Sequence, residues 1–220
     1  MSNQGLSSPE INRKRILEAA RSLILNEGME ALSMRKLAQE SGLALRTIYN
    51  LFGAKENVVL AIFEQGTEGI EKALDDVERA MCEGEWQPSY YIILLRAMEK
   101  VFFDNQKLLK PAIQASASLH RMGSGAAHEM HQRRTQKFLN TLNTAVDKEL
   151  LWGDVDLETA AILMYRNYFS VAALWAEGEL SDRDLVVQGR YNILTIIHTF
   201  VRDPVRQKKA LDLLRELKEQ

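Results

Sequence analysis

Arg46, Thr47, Tyr49 and Asn50 stand within five positions of one another. A guanidinium, two hydroxyls and a carboxamide in so short a span suit hydrogen bonding to a polar partner. Phosphate oxygens and base edges are such partners, since guanidinium and amide groups meet them in matched pairs. Ser33 and Lys55 lie on either flank and add two more donors. Nothing comparable suggests catalysis. Ser, His and Asp residues are scattered, with no acid/base pair to name. The Gly-Ser-Gly run at 123–125 marks a helix break and not a phosphate loop. His128 and His131, in the string HEMH, fall three apart on one helix face. They lack the HExxH spacing and a third ligand, so the sequence reading is a solvated face with no metal. Cys82 has no local basic cluster to activate it. No catalytic residue and no cofactor is assigned.

A segment as short as 44–51 cannot hold these side chains alone, because an isolated helix of that length is marginal in water. Its supports must come from the surrounding pattern. Apolar spacing is that of helices throughout, with 4 Pro in 220 residues and no alternating strand run. The spacing predicts a first helix over 10–26, stopped by Gly28, and a short one over 34–40 capped by Ser33. Ser41-Gly42 breaks the chain, and the helix at 44–51 follows. A long helix then runs from about 54 to 81. EGEWQP at 83–88 is a turn and the best domain boundary. Six more helices cover roughly 89–104, 107–121, 125–151, 156–177, 182–202 and 204–218, with Asp156 and Asp182 as N-cap candidates. The fold class is therefore all-α, with about nine to ten helices.

Composition agrees with a packed protein. Hydrophobic residues make up 46% and charged residues 26%, which are ordinary globular values. A single Cys allows no internal disulfide and suits a reducing cytoplasm. From its polar N-terminus no signal peptide is expected, and no apolar window is long enough for a membrane span. Net charge is −2 but unevenly spread. Residues 1–55 hold 8 Lys and Arg against 5 Asp and Glu, whereas the remainder is acidic. A basic head on an acidic body fits a chain whose first part meets a polyanion.

Two short helices joined through Gly42 and preceded by a packing helix make a helix-turn-helix pattern. Leu37, Ala38, Leu43, Ile48 and Phe52 pack beneath it. Arg46, Thr47 and Asn50 fall on the outward side, where one helix fits a DNA major groove. Ser33, Tyr49 and Lys55 are placed to meet phosphates, which fix register while base contacts give choice. Arg46 has two readings, a guanine edge or a simple phosphate or solvent contact. The Tyr49 ring is expected to pack partly on the domain with its hydroxyl outward.

The string ILEAARSLILNEGMEALSMRKLAQESGLALRTIYNLFGAKENVVLAIF resembles the N-terminal domain of TetR-type transcriptional regulators. Agreement runs through Ile16-Leu17, Ala19-Ala20, Gly28, Leu32-Ser33-Met34-Arg35, Leu37-Ala38, Gly42, Thr47-Ile48-Tyr49, Phe52 and Lys55-Glu56. The resemblance implies a three-helix DNA-binding domain over 10–70, with the helix-turn-helix at 33–52. It implies a DNA-contacting set of Ser33, Arg35, Ala44, Leu45, Arg46, Thr47, Tyr49, Asn50 and Lys55. Three positions depart from the usual pattern. Ala44 replaces a capping Ser or Thr, Arg46 replaces a small residue, and Leu51 replaces a His.

Residues 83–220 are expected to bind a small effector and to dimerise. The helix at 156–177 is apolar around most of its circumference, so it must be covered on more than one side. The helix after it is similarly wide. The resemblance implies that two late helices form a four-helix bundle with a second copy, and Ile162, Phe169, Ala173, Ile193, Ile197 and Phe200 are the candidates. A thick monomer core is the other reading. Phe102, Phe103, His120, Met122, Met164, Asn167 and Tyr168 are candidates for an effector pocket, with Arg121 a further polar group. For any one of the apolar ones, filling the core is the commoner fate. The partners expected are double-stranded operator DNA, a largely apolar effector and a second copy, with no membrane. The functional expectation is a cytoplasmic, homodimeric transcriptional regulator, more often a repressor, released from DNA by its effector. Its rivals are an all-α enzyme with a structural helix-turn-helix and a protein-interaction adaptor.

Overall fold

Helix starts and stops follow local chemistry closely. In the computed structural model, which describes residues 7–84 and 89–219, α1 spans Ser8–Glu27. The Glu10 carboxylate accepts from the Ser7 amide and hydroxyl at 2.7 Å each, tying down the first turn. These contacts hold the Glu10 carboxyl below the usual range. Gly28 ends the helix at φ +87°, which a residue with a Cβ rarely adopts. One 3₁₀ turn, Met29–Ala31, leads to α2 (Met34–Ser41) and α3 (Leu45–Phe52). Then come α4 (Lys55–Gly66), α5 (Glu68–Cys82), α6 (Ser89–Asp104) and α7 (Gln106–Arg121). The chain continues through α8 (Gly125–Asp147), α9 (Leu157–Glu177), α10 (Asp182–Phe200) and α11 (Pro204–Glu219). Among the described residues there is no strand beyond an isolated bridge pairing Leu151 with Val201.

Three expectations need correction. The single helix expected over 54–81 is two, broken at Thr67 (φ −113°, ψ 9°). Thr67 is fully buried, and Arg134 of α8 donates to its hydroxyl, so the break is held by a side chain far along the sequence. The second concerns caps. Asp156 caps α9 as expected, accepting from the Thr159 amide at 2.9 Å. Ser181, and not Asp182, caps α10, while Asp182 accepts instead from the Trp175 indole at 2.7 Å. The third is the end of α8, which comes at Asp147, with Glu149 at φ +56° in the turn beyond. Of the turn expected at 83–88, residues 85–88 lie outside the described residues.

The chain divides into two units. The first comprises residues up to Gly66 together with Asn105–Ala127, hence α1–α4 and α7. Its core includes Ile16, Ala20, Leu37, Ile48, Val58, Ile62, Leu109 and Ile113. Six consecutive α4 residues, 58–63, are buried, because α1 and α7 both pack on this helix. The second unit comprises Thr67–Asp104 and the chain from His128 onward. Trp175 lies at its centre, fully buried, with ring contacts to Phe102 at 5.8 Å and Phe103 at 6.2 Å. Arg190 of α10 grips Glu99 of α6 with two bonds of 2.8 Å, and neither side chain exceeds 13% exposure. Lys137 of α8 pairs with Asp75 and Glu78 of α5, which raises its pKa, Asp75 acting most.

Gly189, inside α10, is a residue of poor helix propensity in a buried position. A Cβ there would stand 2.8 Å from the Tyr168 ring. Gly189→Ala is therefore expected to destabilise the protein by about 1–2 kcal/mol despite its better propensity. A thermal melt checks this. A rise in Tm on Gly189→Ala would show that the ring yields freely.

Candidate nucleic-acid interface

Ser33 begins the motif. Its hydroxyl accepts from the Lys36 amide at 3.2 Å, which satisfies one open donor of α2. At the far end the Ser41 hydroxyl donates to the Leu37 carbonyl at 2.6 Å, and Gly42 turns the chain at φ +64°, ψ 30°. The Leu43 amide closes the turn on the Ala38 carbonyl at 3.1 Å. Together these fix the direction in which α3 leaves. Ala44 precedes α3 with no side-chain cap, so the first amides of that helix stay open.

Burial then sorts the faces of α3. Ile48 is 0% exposed and Phe52 is 5% exposed, anchoring the inner face. Leu45, Arg46, Tyr49 and Asn50 are exposed, and Thr47 is half-buried. Spacing of four places Leu45 with Tyr49 on one row and Arg46 with Asn50 on the next. The outward surface therefore carries two apolar bodies, a phenol hydroxyl, a guanidinium and a carboxamide on one rigid helix. The Tyr49 residue retains 49% exposure, so its ring is only half covered. Arg35 is exposed in the first turn of α2, and Lys55 is half-buried at the start of α4.

Three residues that the sequence reading passed over support α3. Asn57 donates its amide to the Phe52 carbonyl at 2.7 Å and so closes the end of the helix. Arg15 of α1 donates to the Ser41 carbonyl at 2.6 Å. The Arg13 guanidinium lies 4.4 Å from the centre of the Phe52 ring. No periodicity signals such contacts, since they link polar tips of one element to the backbone or ring of another.

Comparison with known proteins places the matched segment. Residues 16–62 match the family model for bacterial regulatory proteins of the tetR family. That segment is of the TetR type. Its α1–α4 segment contains the matched residues, and they hold the whole helix-turn-helix. One curated relative is the HTH-type transcriptional repressor AcnR of Corynebacterium glutamicum. It is 26% identical over 124 residues, which is 50% of this chain and 66% of the repressor, just short of two thirds. A likeness of fold to solved structures extends beyond that segment. The structure of FadR from Thermus thermophilus, a TetR-family repressor solved with lauroyl-CoA, matches with a TM-score of 0.68 at 22% identity. That match covers 87% of this chain and 96% of FadR. SmeT, the repressor of a Stenotrophomonas maltophilia multidrug efflux pump, matches with a TM-score of 0.59 at 19% identity. The coverage there is 88% of this chain and 92% of SmeT.

The second unit treats the other candidates unevenly. Phe102 and Tyr168 stack at 6.1 Å, and Met164 is buried in the same unit. Burial pushes the Tyr168 phenol far above its ordinary pKa, Glu99 adding to the effect. Phe103 is half-buried against Trp175. The remaining three stand elsewhere. Met122 is 79% exposed and His120 is exposed, both in the stretch assigned to the first unit. Asn167 is also exposed, its amide 3.4 Å from Asn192. Arg121 is exposed as well.

The dimer candidates need a similar correction. Ile193 and Ile197 are wholly buried within one chain and cannot face a second copy. Ala173 is buried, and Phe169 meets the His131 ring edge-on at 4.6 Å, so both look inward. Ile162 and Phe200 are half-buried. The outward apolar residues are Leu163 on α9 and Tyr191 on α10, neither of which was expected. The HEMH pair is likewise not a solvated face. His128 is exposed, but His131 is buried with its Nδ1 2.5 Å from the Tyr165 hydroxyl.

Among the described residues no group of three or more His, Cys, Asp or Glu could hold a metal ion. None of the described helices is long and apolar enough to cross a membrane.

Proposed function

We propose that this TetR-type chain is a cytoplasmic, homodimeric, operator-binding transcriptional regulator, a repressor in its default role. The observation that carries this is α3. It exposes Leu45, Arg46, Tyr49 and Asn50 on a helix anchored by Ile48 and Phe52, within the segment that matches the tetR family. A major groove admits one such helix, and Arg46 has the reach and fork to read a guanine edge. Ser33, Arg35, Tyr49 and Lys55 serve register by phosphate contact, while Thr47 and Asn50 lie on or beside bases. Affinity of the purified protein for the DNA upstream of its own gene, measured against a random duplex over a salt series, tests the reading. Equal affinity with equal salt slopes for both duplexes would sink it.

The dimer in this proposal forms on α9 and α10. Leu163, Asn167 and Tyr191 lie outward there, with α9 and α10 packed side by side. Two linked heads gain effective concentration over one, and they match half-sites spaced roughly 34–36 Å apart. A Leu163→Glu, Tyr191→Glu variant is expected to sediment as a monomer and to bind operator DNA at least about tenfold more weakly. Sedimentation of an unchanged dimer would move the interface elsewhere.

The second unit is proposed to take a largely apolar effector beside Phe102, Phe103, Met164 and Tyr168. SmeT and RolR, two proteins of similar fold, were solved with triclosan and resorcinol, and FadR with lauroyl-CoA. All three ligands have an apolar body with a polar end, which suits an aromatic set with few polar groups. Effector binding would lower DNA affinity by a coupling of about 1–3 kcal/mol, reciprocal between the two ligands.

A further inference from the structure

We infer that Arg13 and Arg15 of α1 are positioning residues for the recognition helix and do not bind DNA phosphates. The inference rests on the reading of α3 as the DNA-contacting helix.

Charge counting alone would assign both arginines to the polyanion, since they belong to the basic excess of residues 1–55. The structure gives each guanidinium another task. Arg15 Nη2 donates at 2.6 Å to the carbonyl of Ser41, the last residue of α2. Helix ends of this kind carry unpaired carbonyls and a partial negative charge, so a cation there both caps and neutralises. The same Nη2 lies 3.2 Å from where a Cβ on Gly42 would stand. Arg15 therefore covers the turn that sets the angle between α2 and α3. Arg13 acts at the other end of the motif. Its guanidinium stacks 4.4 Å from the centre of the Phe52 ring, and Phe52 is the last residue of α3. A planar cation over an aromatic face is held by the ring's quadrupole, a contact that Lys does not reproduce in geometry.

α3 is thus pinned from α1 at both its entry and its exit. It is eight residues long, and its N-cap position is Ala44 with no side-chain bond. Without a cap of its own, the helix relies on these two contacts and on Asn57 to reinforce the anchoring by Ile48 and Phe52. Orientation matters because base edges are read at hydrogen-bond distances, whereas phosphate attraction tolerates a small tilt.

The two roles separate by measurement. The probes are a duplex selected from a random pool by the full-length protein, and a mixed-sequence duplex of equal length. Arg13→Lys and Arg15→Met are the variants. Positioning predicts about tenfold weaker binding to the selected duplex, near-unchanged binding to the mixed one, and an unaltered salt slope. Phosphate contact predicts equal loss on both duplexes and, for Arg15→Met, a slope lower by about one per arginine removed, which would overturn the inference. Amide exchange in the free protein gives a second readout that needs no DNA. Positioning predicts faster exchange across residues 45–53 with 58–63 unchanged. Unaltered exchange in both variants would also overturn it. If the selection yields no preferred duplex, the regulator reading itself falls, and the exchange experiment still decides whether the arginines hold α3.

Discussion

Replacing Arg46 and Tyr49 together by Ala is expected to weaken binding to promoter DNA by roughly a hundredfold or more, without lowering Tm. A bidentate contact to a base is worth about 1–3 kcal/mol, and a hydrogen bond to a charged phosphate about 1.5–3. Each loss would occur twice in the proposed dimer. Stability is spared because both residues are exposed and neither fills the core, which Ile48 and Phe52 hold from the opposite face. Electrophoretic or anisotropy titrations on the parent's preferred duplex make the comparison. Parent-like binding by the double variant would remove α3 from the interface. The single variants add detail. Selection on Arg46→Ala should relax at one or two base positions if Arg46 reads a base, and should weaken uniformly if it meets a phosphate.

Breaking the pair between Glu99 and Arg190 is expected to give the largest loss of stability. Glu99→Leu strands a guanidinium that is 13% exposed and loses two bonds of 2.8 Å. Removing one partner of a buried ion pair costs about 3–5 kcal/mol. For a chain of this size that corresponds to a fall in Tm of roughly 10 °C. Glu99→Leu combined with Arg190→Met should recover most of it, because an apolar pair of similar size leaves no charge stranded. Equal destabilisation by the single and double variants would show that the pair acts through its shape and not its charge. Its proximity to Tyr168, whose ionisation Glu99 opposes, makes the packing there sensitive to either change.

What the sequence made legible follows a physical division. Glycines at 28, 42, 53 and 178 each sit past a helix end with positive φ, and their positions alone punctuate the fold. The inner and outer faces of α3 were legible too, because Ile48 and Phe52 recur at helical spacing while the polar side chains fall between them. The missed features depend on distant partners. Between α4 and α5 the sequence offers only Gly66 as a weak stop, and the buried Thr67 with Arg134 is what holds the break. Glu149 turns the chain after α8 in a left-handed conformation that no Gly announces. The inward row of α10 was misplaced because that helix is apolar on several rows. Spacing cannot tell Ile193 and Ile197, which the chain buries itself, from Tyr191, which it leaves outside. His120 and Met122 are pocket candidates by residue type alone, and type says nothing about which unit a residue joins.

The break at Gly66–Thr67 has a bearing on how this protein could be cut into pieces. The polypeptide passes from one unit to the other at 66–67, returns at 104–105 and leaves again at 127–128. A fragment ending near residue 82 would contain the complete helix-turn-helix yet lack α7, and α4 would lose the covering that Leu109, Ala112 and Ile113 help provide. The head is therefore contiguous in space and not in the chain. Its minimal autonomous form is a splice of two segments, and transplanting the tetR-matched stretch alone onto another body would carry the reading surface without its floor.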